Sequence, residues 1–350
     1  VNPDAWRGRR VLITGHTGFK GSWLAAWLHR RGALVAGLAL PPDTEPALFT
    51  QLSLASRIDH AVGDLRDVAV VRRRVHEVRP DVIVHLAAQS LVRRSYRLPV
   101  DTWSTNVLGT VHLLDALRDV AHPCAVLVAT TDKVYDPLTG RRPYTEDAPL
   151  GGKDPYAASK VGTELVVRSY RESFFAASPV RLAVVRAGNV IGGGDWAEDR
   201  LLPDLARARL ASQKLQVRHP DAIRPWQHVL DALGGYLMLA EGMLESQRAV
   251  PDALNFGPAA ADQRPVREIL AMADAHWPGP VSFAAEGDGL AEAAELTLAT
   301  DRARTMLGWT PRWDVTRAVA ATIAWYRRVS AGDDAWAVTC EQIDAFEAGT

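Results

Sequence analysis

The sequence predicts an α/β protein in which a doubly wound parallel sheet, wrapped by helices, is followed by a smaller, loop-rich domain. Three observations carry this. Short apolar, β-branched runs alternate with helical patterns through the first half of the 350 residues, as expected of strands buried on both faces and joined by crossover helices. A glycine-rich turn follows directly on the first run, and after about residue 187 the texture changes to Gly-rich and Pro-rich segments with scattered Trp.

Taken in order, strands are expected at 11–13, 34–38, 61–62, 82–84, 125–128 and 182–185, with helices near 22–31, 68–77, 102–120 and 156–175. Right-handed crossovers between them give the doubly wound arrangement. Residues 1–187 then form a dinucleotide-binding domain to which the chain returns near 226–258, and 188–225 with 259–350 form a substrate-binding region. Trp309, Trp313, Trp325 and Trp336 are read as packing residues.

Composition narrows the possible partners. The formal net charge of −1 points to neither nucleic acid nor a membrane surface, and no apolar run approaches the roughly 20 residues needed to span a bilayer. Residues 1–10 lack the apolar core of a signal peptide. Cys124 and Cys340 are far apart and have no histidine cluster nearby, so neither a disulfide framework nor a metal site is expected, and a reducing cytoplasm is.

The turn Thr14-Gly15-His16-Thr17-Gly18-Phe19-Lys20-Gly21 leads from the first strand into a helix. Glycines there permit a tight turn and close approach of backbone to a pyrophosphate, and the helix N-terminus supplies donors and a positive dipole. The spacing Gly15, Gly18, Gly21 resembles that of the extended short-chain dehydrogenases acting on nucleotide sugars, and this resemblance implies that Asp64 and Leu65, after the third strand, bind the adenine edge. Leu86, Ala87 and Ala88 end the fourth strand with backbone able to lie against the cofactor. A carboxylate normally holds the adenosine ribose at the tip of the second strand, yet here the strand runs into Ala39-Leu40-Pro41-Pro42. Either Asp43 bends back, or Lys20 meets a phosphate. NAD is favoured because no arginine follows closely, and NADP stays open.

The fifth strand runs into Thr130-Thr131-Asp132-Lys133, and 25 residues after Thr131 comes Tyr156-Ala157-Ala158-Ser159-Lys160. Tyr156 and Lys160 share a helix face. One positive charge roughly 4 Å from a phenol, at an effective dielectric near 20, favours the phenolate by about 4 kcal/mol, on the order of three pKa units. Thr131, Tyr156 and Lys160 thus form a set able to take a proton from a sugar hydroxyl while hydride leaves the same carbon. Asp132 and Lys133 add an acid and an amine that a simple oxidation does not need.

These motifs, with Gly188-Asn189-Val190-Ile191-Gly192-Gly193-Gly194-Asp195-Trp196 and Arg224-Pro225-Trp226-Gln227-His228-Val229, closely resemble those of the CDP-glucose 4,6-dehydratases. These belong to the extended, Rossmann-type short-chain dehydrogenases that act on nucleotide sugars, and the resemblance runs from about Trp6 to Trp325. The dTDP-glucose enzymes of that family have Asp-Glu where this chain has Asp132-Lys133. The resemblance implies an NAD-dependent lyase with Asp132 protonating the departing hydroxyl and Lys133 at the place of the carbon 5 base, whether as a base or as an electrostatic stabiliser of the enolate. It implies substrate contacts from Asn189 and Arg224, and further candidates in Gln89, Ser90, Arg94, Asp195, Trp196 and Arg200. A homodimer or dimer of dimers built on the helices near 102–120 and 156–175 is expected. The alternative activity is an epimerase, dehydrogenase or dehydratase of another nucleotide sugar.

Overall fold

The computed structural model describes residues 2–136, 143–245, 250–283 and 296–349; residues 284–295 of the expected substrate region lie outside the described residues. Seven parallel strands form the main sheet: β1 (Arg10–Thr14), β2 (Leu34–Ala39), β3 (Asp59–Val62), β4 (Val82–His85), β5 (Cys124–Ala129), β6 (Val180–Ala187) and, after an excursion, β10 (Ala253–Phe256). Their order is β10-β6-β5-β4-β1-β2-β3. The excursion supplies β7 (Asn189–Ile191), β8 (Leu215–Val217) and β9 (Ile223–His228), and later segments add β11 (Gln263–Pro265) and β12 (Val281–Phe283). β7, β9 and β11 make a three-stranded sheet, and β8 pairs with β12.

The apolar runs form strands here because both faces are covered. Along β1, Val11 and Ile13 enter one core and Leu12 the other, the period of two that a pleated strand imposes. Trp23 and Trp27 on helix Phe19–Arg30 share the first core with helix Val229–Leu244, and Trp309, Trp313 and Trp325 are buried in it. Trp336 packs against its edge with the Arg57 guanidinium 3.9 Å above its ring. Cys124 is buried in the second core, where burial raises its thiol pKa. A third core, around Ile191, Leu205, Val217, Trp226 and Ile323, belongs to the second lobe.

Several boundaries differ from expectation for local reasons. The first helix begins at Phe19, directly after Gly18. The helix expected over 102–120 starts at Pro99, whose fixed φ suits a first turn, passes through a π-helical stretch Ser104–Leu108, and ends at Asp115. Helix Pro155–Ser173 is capped by Asp154, whose side chain accepts from the Ala157 amide at 2.9 Å. The last helix, Ala335–Ala348, lies against the first: Glu347 takes hydrogen bonds from Trp27 and, at 2.7 Å, from Arg31, and Asp344 pairs with Arg30.

Candidate active site

Strand order reverses between β1 and β4, and ligands of open α/β sheets bind beyond the carboxyl ends of the strands at such a switch point. A cleft of about 1160 Å³ lies there, between the sheet and the second lobe. Gly15, Thr17, Gly18, Phe19, Lys20, Gly21, Asp64, Leu65, Leu86, Ala87, Ala88, Gln89, Ser90, Arg94, Thr131, Lys133, Tyr156, Lys160, Asn189, Asp195, Trp196, Arg200 and Arg224 all line it. Asp132 does not; it is fully buried behind the wall.

The glycine turn is built for a close-lying ligand. Gly15 has φ +77°, and a Cβ on it would stand 2.6 Å from the Ala87 nitrogen, while one on Gly21 would stand 2.2 Å from the Gly15 carbonyl. Gly18 caps the first helix without any side-chain hydrogen bond, leaving the amides of its first turn to whatever occupies the cleft. These features fit a dinucleotide pyrophosphate. The Thr17 hydroxyl donates to the Leu40 carbonyl at 2.9 Å and ties the turn to the end of β2. Asp43 does line the cleft, 3.5 Å from Arg94. Asp64 is gripped by Arg66, with contacts of 2.6 to 3.0 Å, and that guanidinium holds its carboxyl below the usual range.

At the end of β5 the chain makes a short 3₁₀ turn, Asp132–Val134, capped by Thr131. The Thr131 hydroxyl donates to Asp132 Oδ1 at 3.1 Å, Lys133 Nζ lies 3.5 Å from the same oxygen, and Asp132 Oδ2 is buried without a partner. On the same wall Lys160 Nζ donates to the carbonyl of Ala129, the last residue of β5, at 2.9 Å.

The expected three-unit depression of the Tyr156 phenol is not found. Burial pushes its pKa up to about 12, with hydrogen bonding to Thr131 pulling the other way. The lysine is the group brought toward neutrality: burial, and then the charge of Lys20, lower Lys160 to about 8. Helix spacing put the two side chains on one face, but desolvation of the phenol outweighs the gain, and the ammonium is engaged with Ala129. Lys20 is likewise lowered to about 8, by burial and then by Arg200, with Asp132 and Asp195 opposing.

On the facing wall, Arg200 pairs with Asp195 at 2.7 Å and donates to Ser90 Oγ at 3.2 Å. Trp196 is mostly buried, donating to Gln51 at 3.0 Å and meeting Tyr326 edge to face. Asn189 Oδ1 is buried without a partner. Arg224 is buried on β9 and donates to the Ile223 carbonyl at 2.9 Å. Gln89 is committed internally, its amide bonded to Leu91 and Thr102.

Residues that sequence reasoning passed over complete the site. Asn106, in the π-helical stretch, donates to the Gln89 carbonyl and to Ser159 Oγ and so joins the end of β4 to the Tyr156 helix. Asp204, Leu215, Gln216 and Val217, from the second lobe, also line the cleft. A polar Ser-Thr-Asn inside an otherwise apolar helical run was a usable signal for Asn106; a three-residue strand offered none for 215–217.

The sequence pattern of the GDP-mannose 4,6 dehydratase family matches residues 12–322. The chain is 41% identical to the CDP-glucose 4,6-dehydratase of Salmonella typhimurium over 356 aligned residues, covering 100% of this chain and 99% of the other. Among solved structures it is similar to DesIV, a dTDP-glucose 4,6-dehydratase from Streptomyces venezuelae with NAD and TYD bound, at TM-score 0.78 and 26% identity over 92% of this chain and 98% of that one. A UDP-glucose-4-epimerase from Stenotrophomonas maltophila superposes at TM-score 0.80 with 22% identity, over 93% and 100% of the two chains, which is a likeness of fold alone.

Proposed function

The chain belongs to the GDP-mannose 4,6 dehydratase family, and from that premise we propose that it dehydrates CDP-glucose to CDP-4-dehydro-6-deoxyglucose with bound NAD. The observation that carries the elimination chemistry is the turn after β5, where Thr131 and Lys133 line the cleft beside Tyr156 and Lys160 and both stand against the fully buried Asp132 directly behind them. An epimerase needs no such group, and burying an acid without a task is costly. The nucleotide choice rests on the 41% identity to the Salmonella enzyme.

NAD, when bound, would supply reversible hydride transfer between carbons 4 and 6. The amides after Gly18 and the backbone at Leu86 to Ala88 would hold it, with Asp64 for the adenine and Asp43 as the carboxylate for its ribose. Tyr156, hydrogen-bonded to Thr131, takes the proton of the carbon 4 hydroxyl. A phenol with a pKa near 12 does so efficiently only if its anion is stabilised, and hydrogen bonding to Thr131 and the charge of Arg200 act in that direction, with Lys160 one turn further along the same helix. Oxidation at carbon 4 acidifies the carbon 5 hydrogen. Lys133 removes that proton or steadies the resulting enolate, and Asp132 protonates the departing carbon 6 hydroxyl.

With the hexose over Tyr156, Arg224 and Arg200 take the diphosphate, and Asn189 contacts sugar or diphosphate. The nucleoside is left with the wall of Asp204, Leu215, Gln216 and Val217. The cofactor domain is read as 1–187 with 226–258, and the substrate region as the remainder. A homodimer is supported by Val100, Trp103 and Leu108, which are exposed on the 99–115 helical segment, and by Leu165, exposed on the Tyr156 helix. Among the described residues no helix is long and apolar enough to cross a membrane. Two buried free thiols accord with a cytoplasmic setting.

The test is a panel of CDP-, UDP-, GDP- and dTDP-glucose incubated in deuterium oxide without added oxidant. The expected result is a ketosugar from CDP-glucose that has lost water and carries deuterium at carbon 5. An epimerised product, or a product without that deuterium, overturns the reading.

A further inference from the structure

Behind the catalytic turn lies a buried charge pair that the chemistry above does not use. Arg186 interrupts the apolar run 182–187 of strand β6, and its guanidinium grips Glu164 with both ends: Nε at 2.9 Å from Oε1 and Nη2 at 2.5 Å from Oε2, both side chains at most 6% exposed. Glu164 sits one turn beyond Lys160 on the same helix. Glu164 Oε1 also accepts from the Thr130 hydroxyl at 2.7 Å, and Arg186 Nη1 donates to the Tyr135 hydroxyl at 2.8 Å. Thr130 and Tyr135 flank the turn that carries Thr131, Asp132 and Lys133. The pair therefore holds both ends of that turn at once.

Stability alone does not account for it. A buried ion pair gains little over well-packed apolar groups of the same volume, because desolvating two charges offsets their attraction. What it supplies is direction, since a bidentate guanidinium fixes angles as well as distance. The linkage continues to the edge strand β10 of the same sheet: the Tyr135 hydroxyl donates to Asn255 Oδ1 at 2.6 Å, and Asn255 Nδ2 donates to the carbonyls of Tyr144 and Ala299 at 2.9 and 3.1 Å. Tyr144 stacks on Tyr135 with ring centres 4.8 Å apart and itself lines the cleft.

We propose that Glu164 and Arg186 are positioning residues for the elimination step, clamping Thr130 and Tyr135 so that Asp132 and Lys133 are held toward carbons 5 and 6 of the hexose. This rests on the dehydratase reading, and the experiment separates the two. Wild-type enzyme is first assayed with CDP-glucose; failure to form the ketosugar sinks the reading itself.

Given wild-type turnover, Thr130→Val and Tyr135→Phe each delete one grip while leaving the charge pair intact, so they avoid the misfolding that a lone buried Arg186 invites. Each is expected to slow turnover on the order of 10-fold to 100-fold, as small misplacements of reacting groups do. The slowing should fall on elimination: relative to wild type, the isotope effect on kcat from deuterium at carbon 4 shrinks and that from deuterium at carbon 5 grows. Thr130→Ser, which keeps the hydroxyl, restores both. Slower turnover with the balance of the two isotope effects unchanged, or a lowered melting temperature with unchanged turnover, overturns the proposal.

Discussion

The two walls of the cleft are held in contrasting ways. On the sheet side, the catalytic turn is fixed by a pair whose side chains are 5% and 6% exposed and by hydrogen bonds that run through Thr130, Tyr135 and Asn255. On the opposite side, Arg218 with Asp199 and Arg207 with Asp204 are each about a third exposed, and Arg200 with Asp195 is open on the arginine side. Solvated pairs are weak, salt-sensitive and easily rearranged. The groups proposed to react thus sit on a tightly bonded frame, while those proposed to meet the nucleotide sit among solvated pairs that rearrange more readily.

The largest effect that sharpens this contrast is expected at Tyr156. Tyr156→Phe should lower turnover on the order of 10³-fold to 10⁴-fold by removing the proton acceptor for the first oxidation, measured by ketosugar formation, with little change in substrate KM. Lys133→Ala should cost at least roughly 100-fold and act on elimination alone: the variant retains cofactor on gel filtration but incorporates no deuterium at carbon 5. Near-normal dehydration by that variant would remove Lys133 from the mechanism.

On the other wall the effects should move from kcat to KM. Arg224→Ala is expected to raise KM on the order of 10-fold to 100-fold, the worth of charged hydrogen bonds of about 1.5–3 kcal/mol. Arg200→Ala should raise it only a few-fold, and added salt should shrink the difference from wild type. Were Arg200 to prove as costly as Tyr156 in kcat, the division between rigid chemistry and adjustable grip would fail.

A separate effect is read in stability instead of turnover. Lys160 is lowered from 10.5 to about 8 by burial and by Lys20, against the pull of Glu164, and its neighbour His85 is kept neutral by burial. Below pH 8 the lysine is charged in both folded and unfolded chains, so the folded state carries the full desolvation cost. Between 8 and 10.5 the folded lysine is neutral while the unfolded one is charged, and stability rises with pH. Inactive Lys160→Met should therefore be up to about 3 kcal/mol more stable than wild type at pH 7, with the gap closing toward pH 10.5 in denaturant titrations.

How much of this was legible follows from the range of each interaction. The sheet could be read because buried parallel strands are apolar throughout, and the glycine turn because its chemistry is local. The Tyr156 and Lys160 pairing was legible as geometry but not as energetics: spacing on a helix says nothing of how deeply a phenol is buried or that Ala129 offers the lysine a carbonyl. Asn106, Glu164 and the 215–217 wall depend on contacts between distant segments. Arg186 was the readable exception, since a charge inside Leu182-Ala183-Val184-Val185 and Ala187 demands a partner.

The last helix has a practical consequence. Because Glu347 and Asp344 reach Trp27, Arg30 and Arg31 on the helix that leaves the glycine turn, a label or cross-link that unseats the last helix is expected to disturb the glycine turn as well.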